Sequence, residues 1–167
     1  MKKFATYLSV TALAAMLSIL VLASAAAAND LTYSFTLSGP QAARDPNTGN
    51  TISVTGSGSF DPSAGTVIGS GSFTTFTSGG AVVSRGTWKA TSFVSFHSFG
   101  GFSPGLQGGV LNITVTLSPD GGTPETGVSM VVTCRIKAPP NTAPEGIIIG
   151  SFTETLLAGH TLFHLND

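Results

Sequence analysis

The chain has 167 residues, of which only 9% are charged, with seven Lys and Arg against eight Asp and Glu. Once an N-terminal export segment carrying Lys2 and Lys3 is removed, five basic side chains face eight acidic ones, a net charge near −3. That balance argues against nucleic acid and anionic membrane surfaces as partners, and the length suits one domain with a real core.

The export segment opens the chain. "MKK" supplies a positive start, and "FATYLSVTALAAMLSILVLASAAAAND" an apolar run ending in overlapping small-x-small sites. This is the pattern of a signal peptide over residues 1–28, a helix cut after Ala28, and it implies a secreted or periplasmic product free of the membrane. The alternative is an uncleaved anchor, because the apolar run approaches the roughly 20 residues that span a bilayer. Residues 29–167 then form a single domain, rich in Gly, Ser, Thr, Val and Phe and poor in helix-forming runs, an all-β composition. With one cysteine, Cys134, no internal disulfide can form.

In chain order, "LTYSFTLS" (31–38) alternates Leu31, Tyr33, Phe35 and Leu37 with polar residues, as a half-buried strand does, and "GPQAARDPNTGN" is expected to break it. Strands follow over Thr51 to Phe60 and Thr66 to Phe76, joined by "DPSAG", which has hairpin-turn chemistry. "AVVSRGTWKATSFVSFHSFG" (81–100) has an apolar phase of Val82, Trp88, Ala90, Val94 and Phe96 that Phe93 and Phe99 break. A bulge near Thr91 to Phe93 is expected, since one inserted residue turns later side chains to the other face. "GGFSPGLQGG" (100–109) reads as a Gly-rich loop. "VLNITVTLS" and "GVSMVVTCRIK" alternate cleanly; Cys134 falls on the apolar phase, and Arg135 and Lys137 on the wet one. After "APPNTAPEG" come "IIIGSFTET" and a last strand, "HTLFHL". About eight strands with short links suggest an antiparallel up-and-down barrel, with a two-sheet sandwich as the alternative.

The doubled motif in "TGSGSFDPSAGTVIGSGSF" (55–73) sharpens this picture. Pairing the two arms so that Phe60 faces Val67 sets Gly58 against Gly69, Gly56 against Gly71 and Val54 against Phe73 on one face. The glycines then point inward and the serines outward, leaving a bald strip inside. Three readings of the strip stand: glycines that let the sheet coil tightly enough to close, room for a large ring such as Trp88, or the floor of a binding cavity.

Catalytic patterns are weak. His160 and His164 form H-x-x-x-H in a strand-like tail, where zinc use of that spacing needs a helix, so no metal site is expected. No phosphate loop, cofactor motif or Gly-x-Ser-x-Gly elbow is present, and the acids sit mostly in turns. His97, among Phe93, Phe96 and Phe99 beside the Gly-rich loop, is the polar group best placed in an apolar setting.

The order "SGSFDPSAGTVIGSGSF", "SRGTWKATSFVSFHSFG", "GGVLNITVTL", "VVTCRIKAPPNTAPEGI" and "HTLFHL", about Thr51 to Leu165, resembles a family of small secreted bacterial proteins. Those proteins pair Gly-x-Gly-x-Phe strands with a Gly-Thr-Trp strand. The resemblance implies no activity, catalytic residue or substrate. The architecture is similar to lipocalin-like and allene oxide cyclase or dirigent-like barrels, a likeness that does not decide function.

The expectation is an exported, non-catalytic domain without cofactor, taking a small apolar ligand at Trp88, His97, Phe99, Phe102, Gly56, Gly58, Gly69 and Gly71. The alternatives are a structural or adhesive envelope protein with a filled core, and a cyclase- or isomerase-like enzyme using His97.

Overall fold

The computed structural model describes residues 31–102, 105–156 and 158–166, and the expected export segment lies outside them. The described residues form an all-β fold of nine strands, β1 (Thr32–Arg44), β2 (Thr51–Asp61), β3 (Thr66–Phe76), β4 (Val82–Gly101), β5 (Leu106–Pro119), β6 (Glu125–Cys134), β7 (Gly146–Ile149), β8 (Glu154–Leu156) and β9 (His160–Asn166). All pairings are antiparallel. From β1 to β7 each strand pairs with the next, as the short links lead one to expect.

The last strand departs from the meander. β9 pairs with β1 from Thr32 to Ser38 and meets β5 at Leu106 and Gln107. Together with the β4–β5 ladder this closes a ring of six strands, β1-β2-β3-β4-β5-β9. β6 and β7 continue from β5, and β8 pairs with the end of β1.

Two hairpins share one turn. "DPNTG" after β1 and "DPSAG" after β2 both place a proline second and a glycine fifth, with Gly49 at φ 71° and Gly65 at φ 65°, where a Cβ would be strained. Asp45 Oδ1 accepts the Asn47 amide at 2.8 Å, and Asp61 Oδ1 accepts the Ser63 and Ala64 amides at 2.8 and 3.0 Å. An aspartate that takes amides two and three residues on pre-forms the bend.

The expected break at 39–50 is therefore narrower than the sequence suggested. β1 continues through Gly39 and Pro40, because its register with β2 slips between Leu37 and Gln41. The bulge holds two extra residues, an even number that preserves strand parity, so Gln41 and Ala43 face inward like Leu37. The expected 100–109 loop is also shorter, with β4 reaching Gly101 and β5 starting at Leu106. At the other end β6 stops at Cys134, and Arg135 and Lys137 lie in a turn closed by the Ala138 amide on the Arg135 carbonyl at 3.0 Å.

β4 carries the expected bulge and two more, with register shifts between Ala90 and Ser92, Phe93 and Ser95, and Ser98 and Gly100. Each shift inserts one residue. The inward positions consequently run Trp88, Ala90, Phe93, Phe96 and face Leu117, Val115, Ile113 and Leu111 of β5. Val94 and Val82, expected inside, are exposed: Val94 sits in the second bulge, and Val82 lies beyond the shift between Thr75 and Phe76. Bulges also raise local twist, and pairing of β3 with β4 ends at Ser70 and Lys89.

Both hairpin aspartates sit below the ordinary aspartate range. Asp45 is lowered chiefly by the Asn47 amide, and Asp61 by the Ser63 hydroxyl and then the Ala64 amide. A carboxyl depressed in the folded state adds stability above its unfolded value, and that stability is lost as the pH falls through the lowered one. Denaturation of the wild type should therefore become easier below the usual 3.8, while an Asp45→Asn, Asp61→Asn double variant shows a flatter acid limb in urea titrations from pH 6 to pH 2.

Candidate functional site

The β2–β3 ladder pairs Gly56 with Gly71, Gly58 with Gly69, Val54 with Phe73 and Phe60 with Val67, as strand phase requires. The strip these glycines leave is filled from both sides. Trp88 of β4 leans across Gly71 and Gly56; a Cβ on Gly56 would lie 2.6 Å from Trp88 Cζ2, and one on Gly71 2.5 Å from Trp88 Nε1. Phe35 of β1 covers the other pair, 2.6 Å from a Cβ on Gly58 and 3.0 Å from one on Gly69. Both rings are 1% exposed.

Backbone approach reinforces the need for glycine. The Thr55 carbonyl occupies the place of a Gly71 Cβ, and the Ile68 carbonyl that of a Gly58 Cβ. Gly56 has φ 149°, a conformation that side chains disfavour, and the peptide just before it presents the Thr55 carbonyl to the interior. Trp88 Nε1–H donates to that carbonyl at 2.8 Å, so the buried indole has its partner and the tilted peptide its donor.

From this pair an aromatic column runs along the interior. Phe35 lies 6.4 Å from Trp88 and 6.4 Å from Phe60 between ring centroids. Phe60 is in turn ringed by Tyr33 at 5.2 Å, Phe96 at 4.8 Å, Phe163 at 6.0 Å and Phe93 at 6.1 Å. These spacings lie in the favourable range for offset and edge-on aromatic pairs.

The remaining candidate residues lie elsewhere. His97 is exposed and meets half-buried Phe99 edge-on at 5.6 Å. Phe102 is 73% exposed at the β4–β5 turn, where its amide donates to the Leu106 carbonyl at 2.9 Å. Buried Trp88 and the four half-buried glycines thus form one group, and His97, Phe99 and Phe102 an outer one. His160 and His164 are four residues apart on β9, about 13 Å at roughly 3.3 Å per residue, too far to share an ion. Among the described residues no cluster of three or more His, Cys, Asp or Glu is placed to hold a metal. Cys134 is buried, and desolvation pushes its thiol up, away from the reactive thiolate.

Three features escaped sequence reasoning. Phe35 was readable only as a core residue of an alternating strand, because its strand reaches the glycines from the far side of β2. Gln41 is fully buried; its Nε2 donates to the Ser38 carbonyl at 3.4 Å, and the Thr161 amide nearby donates to Glu145 at 3.2 Å. The third is on the outside. Ser34 and Thr36 of β1, Ser57 and Ser59 of β2, Ile68 and Ser70 of β3 and Lys89 of β4 line a surface groove of about 670 Å³ whose floor includes Gly58 and Gly69. No protein-family model, curated protein or solved structure matches this chain.

Adding a methyl group inside the strip forces backbone apart. Gly71→Ala and Gly58→Ala should each cost about 3 kcal/mol or more in urea denaturation, while Ser129→Ala, outward on β6, stays within about 0.5 kcal/mol. Trp88→Phe keeps a ring but removes the donor to the Thr55 carbonyl; a loss of roughly 2 kcal/mol is expected, against about 3–5 kcal/mol for Trp88→Ala.

Proposed function

We propose that this protein is an exported, non-catalytic domain that serves as a structural or adhesive component of the cell envelope, its six-stranded ring acting as a closed barrel with a filled interior. One observation carries the reading: Trp88 and Phe35 occupy the strip over Gly56, Gly58, Gly69 and Gly71, where an apolar ligand would otherwise lie. A domain whose interior is taken up by its own rings meets its partners through its surface. Small eight-stranded barrels are often filled in this way.

A second reading, the small apolar ligand, keeps one local support. Phe102 is exposed and Phe99 half-buried against His97 at the β4–β5 hairpin, an apolar corner on a rigid scaffold. A single experiment separates the two. The envelope reading predicts that purified protein co-sediments with envelope fragments and that the blue-shifted emission of buried Trp88 ignores an apolar fluorescent probe. A shift of Trp88 emission with probe, or absence from the sedimented envelope, overturns it; probe binding abolished by Phe102→Ser transfers support to the second reading.

A further inference from the structure

The six-stranded ring is joined between β3 and β4 over only part of β3. Their ladder ends at Ser70 and Lys89, so among the described residues Thr66, Val67, Ile68 and Gly69 pair with β2 alone. Beyond Lys89, β4 carries its three bulges and keeps to β5. The carbonyls of Ile68 and Ser70 lie against Gly58 and Gly56 of β2. Backbone groups alternate sides along a strand, so the amides and carbonyls of Val67 and Gly69 turn to the side that β4 has left.

The two banks of this split differ. Bulges, lysines and prolines keep exposed edges from pairing with other chains, and β4 has its three bulges between Ala90 and Gly100. The opposite bank has none of these devices. Thr66 to Gly69 holds an unbroken register with β2, contains no proline and no charge, and presents Ile68 72% exposed. Thr66, Val67 and Ile68 are three β-branched residues in a row, suited to a strand that is paired on both sides.

Flanking charges select the strand that pairs there. Asp61 of β2 stands beside Thr66, and Lys89 of β4 beside Ser70; each follows an inward residue, Phe60 or Trp88, and so faces outward. One end of the free edge is therefore acidic and the other basic. Two copies laid antiparallel about a two-fold axis normal to the sheet bring Asp61 of each toward Lys89 of the other, whereas parallel pairing sets like charges together. The net charge near −3 of each copy is spread along the chain and screened beyond about 8 Å at physiological salt, so these two close contacts outweigh it.

Register follows from strand parity. Facing residues of an antiparallel pair share a face, so either Val67 or Ile68 can meet its own copy. Ile68 against itself puts Thr66 where Lys89 already pairs with Ser70, while Val67 against itself leaves that place free. In this register the two Val67 residues exchange backbone hydrogen bonds, and Thr66 of each copy faces Ile68 of the other on the outer surface, a cross-strand pair of β-branched side chains.

We propose that Thr66 to Gly69 is a self-association edge, at which a second copy of this chain adds its own β3 antiparallel to the first. The inference does not depend on the envelope reading. Its test is analytical ultracentrifugation of the full exported chain, where a reversible, concentration-dependent dimer is expected. Ile68→Lys places a charge in the seam and Lys89→Glu sets two acids together, and each should weaken the dimer at least about tenfold. Val82→Lys, at a residue 48% exposed at the far end of β4, should leave it unchanged. All three positions are exposed, and unaltered circular dichroism establishes that the variants fold. The register has its own readout: a Thr66→Cys chain mixed with an Ile68→Cys chain should yield a disulfide-linked heterodimer in a glutathione redox buffer, while either chain alone cross-links poorly. Cys134 is buried and takes no part. A wild type that stays monomeric at every concentration, a dimer indifferent to Ile68→Lys and Lys89→Glu, or mixed chains that fail to cross-link overturns the inference. A monomer whose sedimentation with envelope is lost on Ile68→Lys also overturns it, and gives the edge to an envelope strand instead.

Discussion

The structure depends on contact between backbone and ring across the β2–β3 hairpin. Four inward glycines bring the two strands so close that the carbonyls of Thr55 and Ile68 stand where Cβ atoms of the facing strand would be. Trp88 and Phe35 then lie directly on the exposed backbone, and Trp88 Nε1 takes up the inward Thr55 carbonyl. Each part requires the others. With side chains in the strip the rings have no seat, and without the rings four glycines and a tilted peptide would face an empty interior.

Magnitudes favour this arrangement. A glycine in place of alanine within a strand costs about 0.5–1 kcal/mol, so four cost roughly 2–4 kcal/mol. Full burial of two aromatic rings is worth about 1.5–3 kcal/mol each, and the indole hydrogen bond about 1 kcal/mol more. The rings therefore more than offset the glycines, provided both are seated. Phe35 extends the gain by joining the strip to Phe60 and, through it, to Tyr33, Phe93, Phe96 and Phe163. These rings come from β1, β2, β4 and β9, strands of the closed ring.

The sequence made the hairpin register legible because two signals agree: the apolar phase puts Val54, Phe60, Val67 and Phe73 on a single face, and the short turn after Asp61 brings Phe60 opposite Val67. It also located the first bulge of β4, since Phe93 cannot share the phase of Trp88 without an inserted residue. Other features were written there less openly. "DPNTG" repeats the turn of "DPSAG", but it follows a proline that ends most strands, and only the two-residue bulge before Gln41 lets β1 reach it. The position of β9 between β1 and β5 had no local signal, because a short alternating strand does not specify its neighbours. His97 looked close to Trp88 for a related reason: with two bulges between them, distance along β4 does not report which face a residue takes.

One set of glycines thus decides both surfaces of the sheet. Inside, absence of side chains admits two rings; outside, Gly58 and Gly69 lie among Ser57, Ser59, Ile68 and Ser70 in the lining of a surface groove. In "GSGS" the glycines seat the rings and the serines line the outer face, because a period of two sends them to opposite faces of one strand. Neither role survives a one-residue shift of register. The paired "GSGSF" arms and the turn between them are in this sense a single device, which seats the rings of the core on one face and sets a row of hydroxyls on the other.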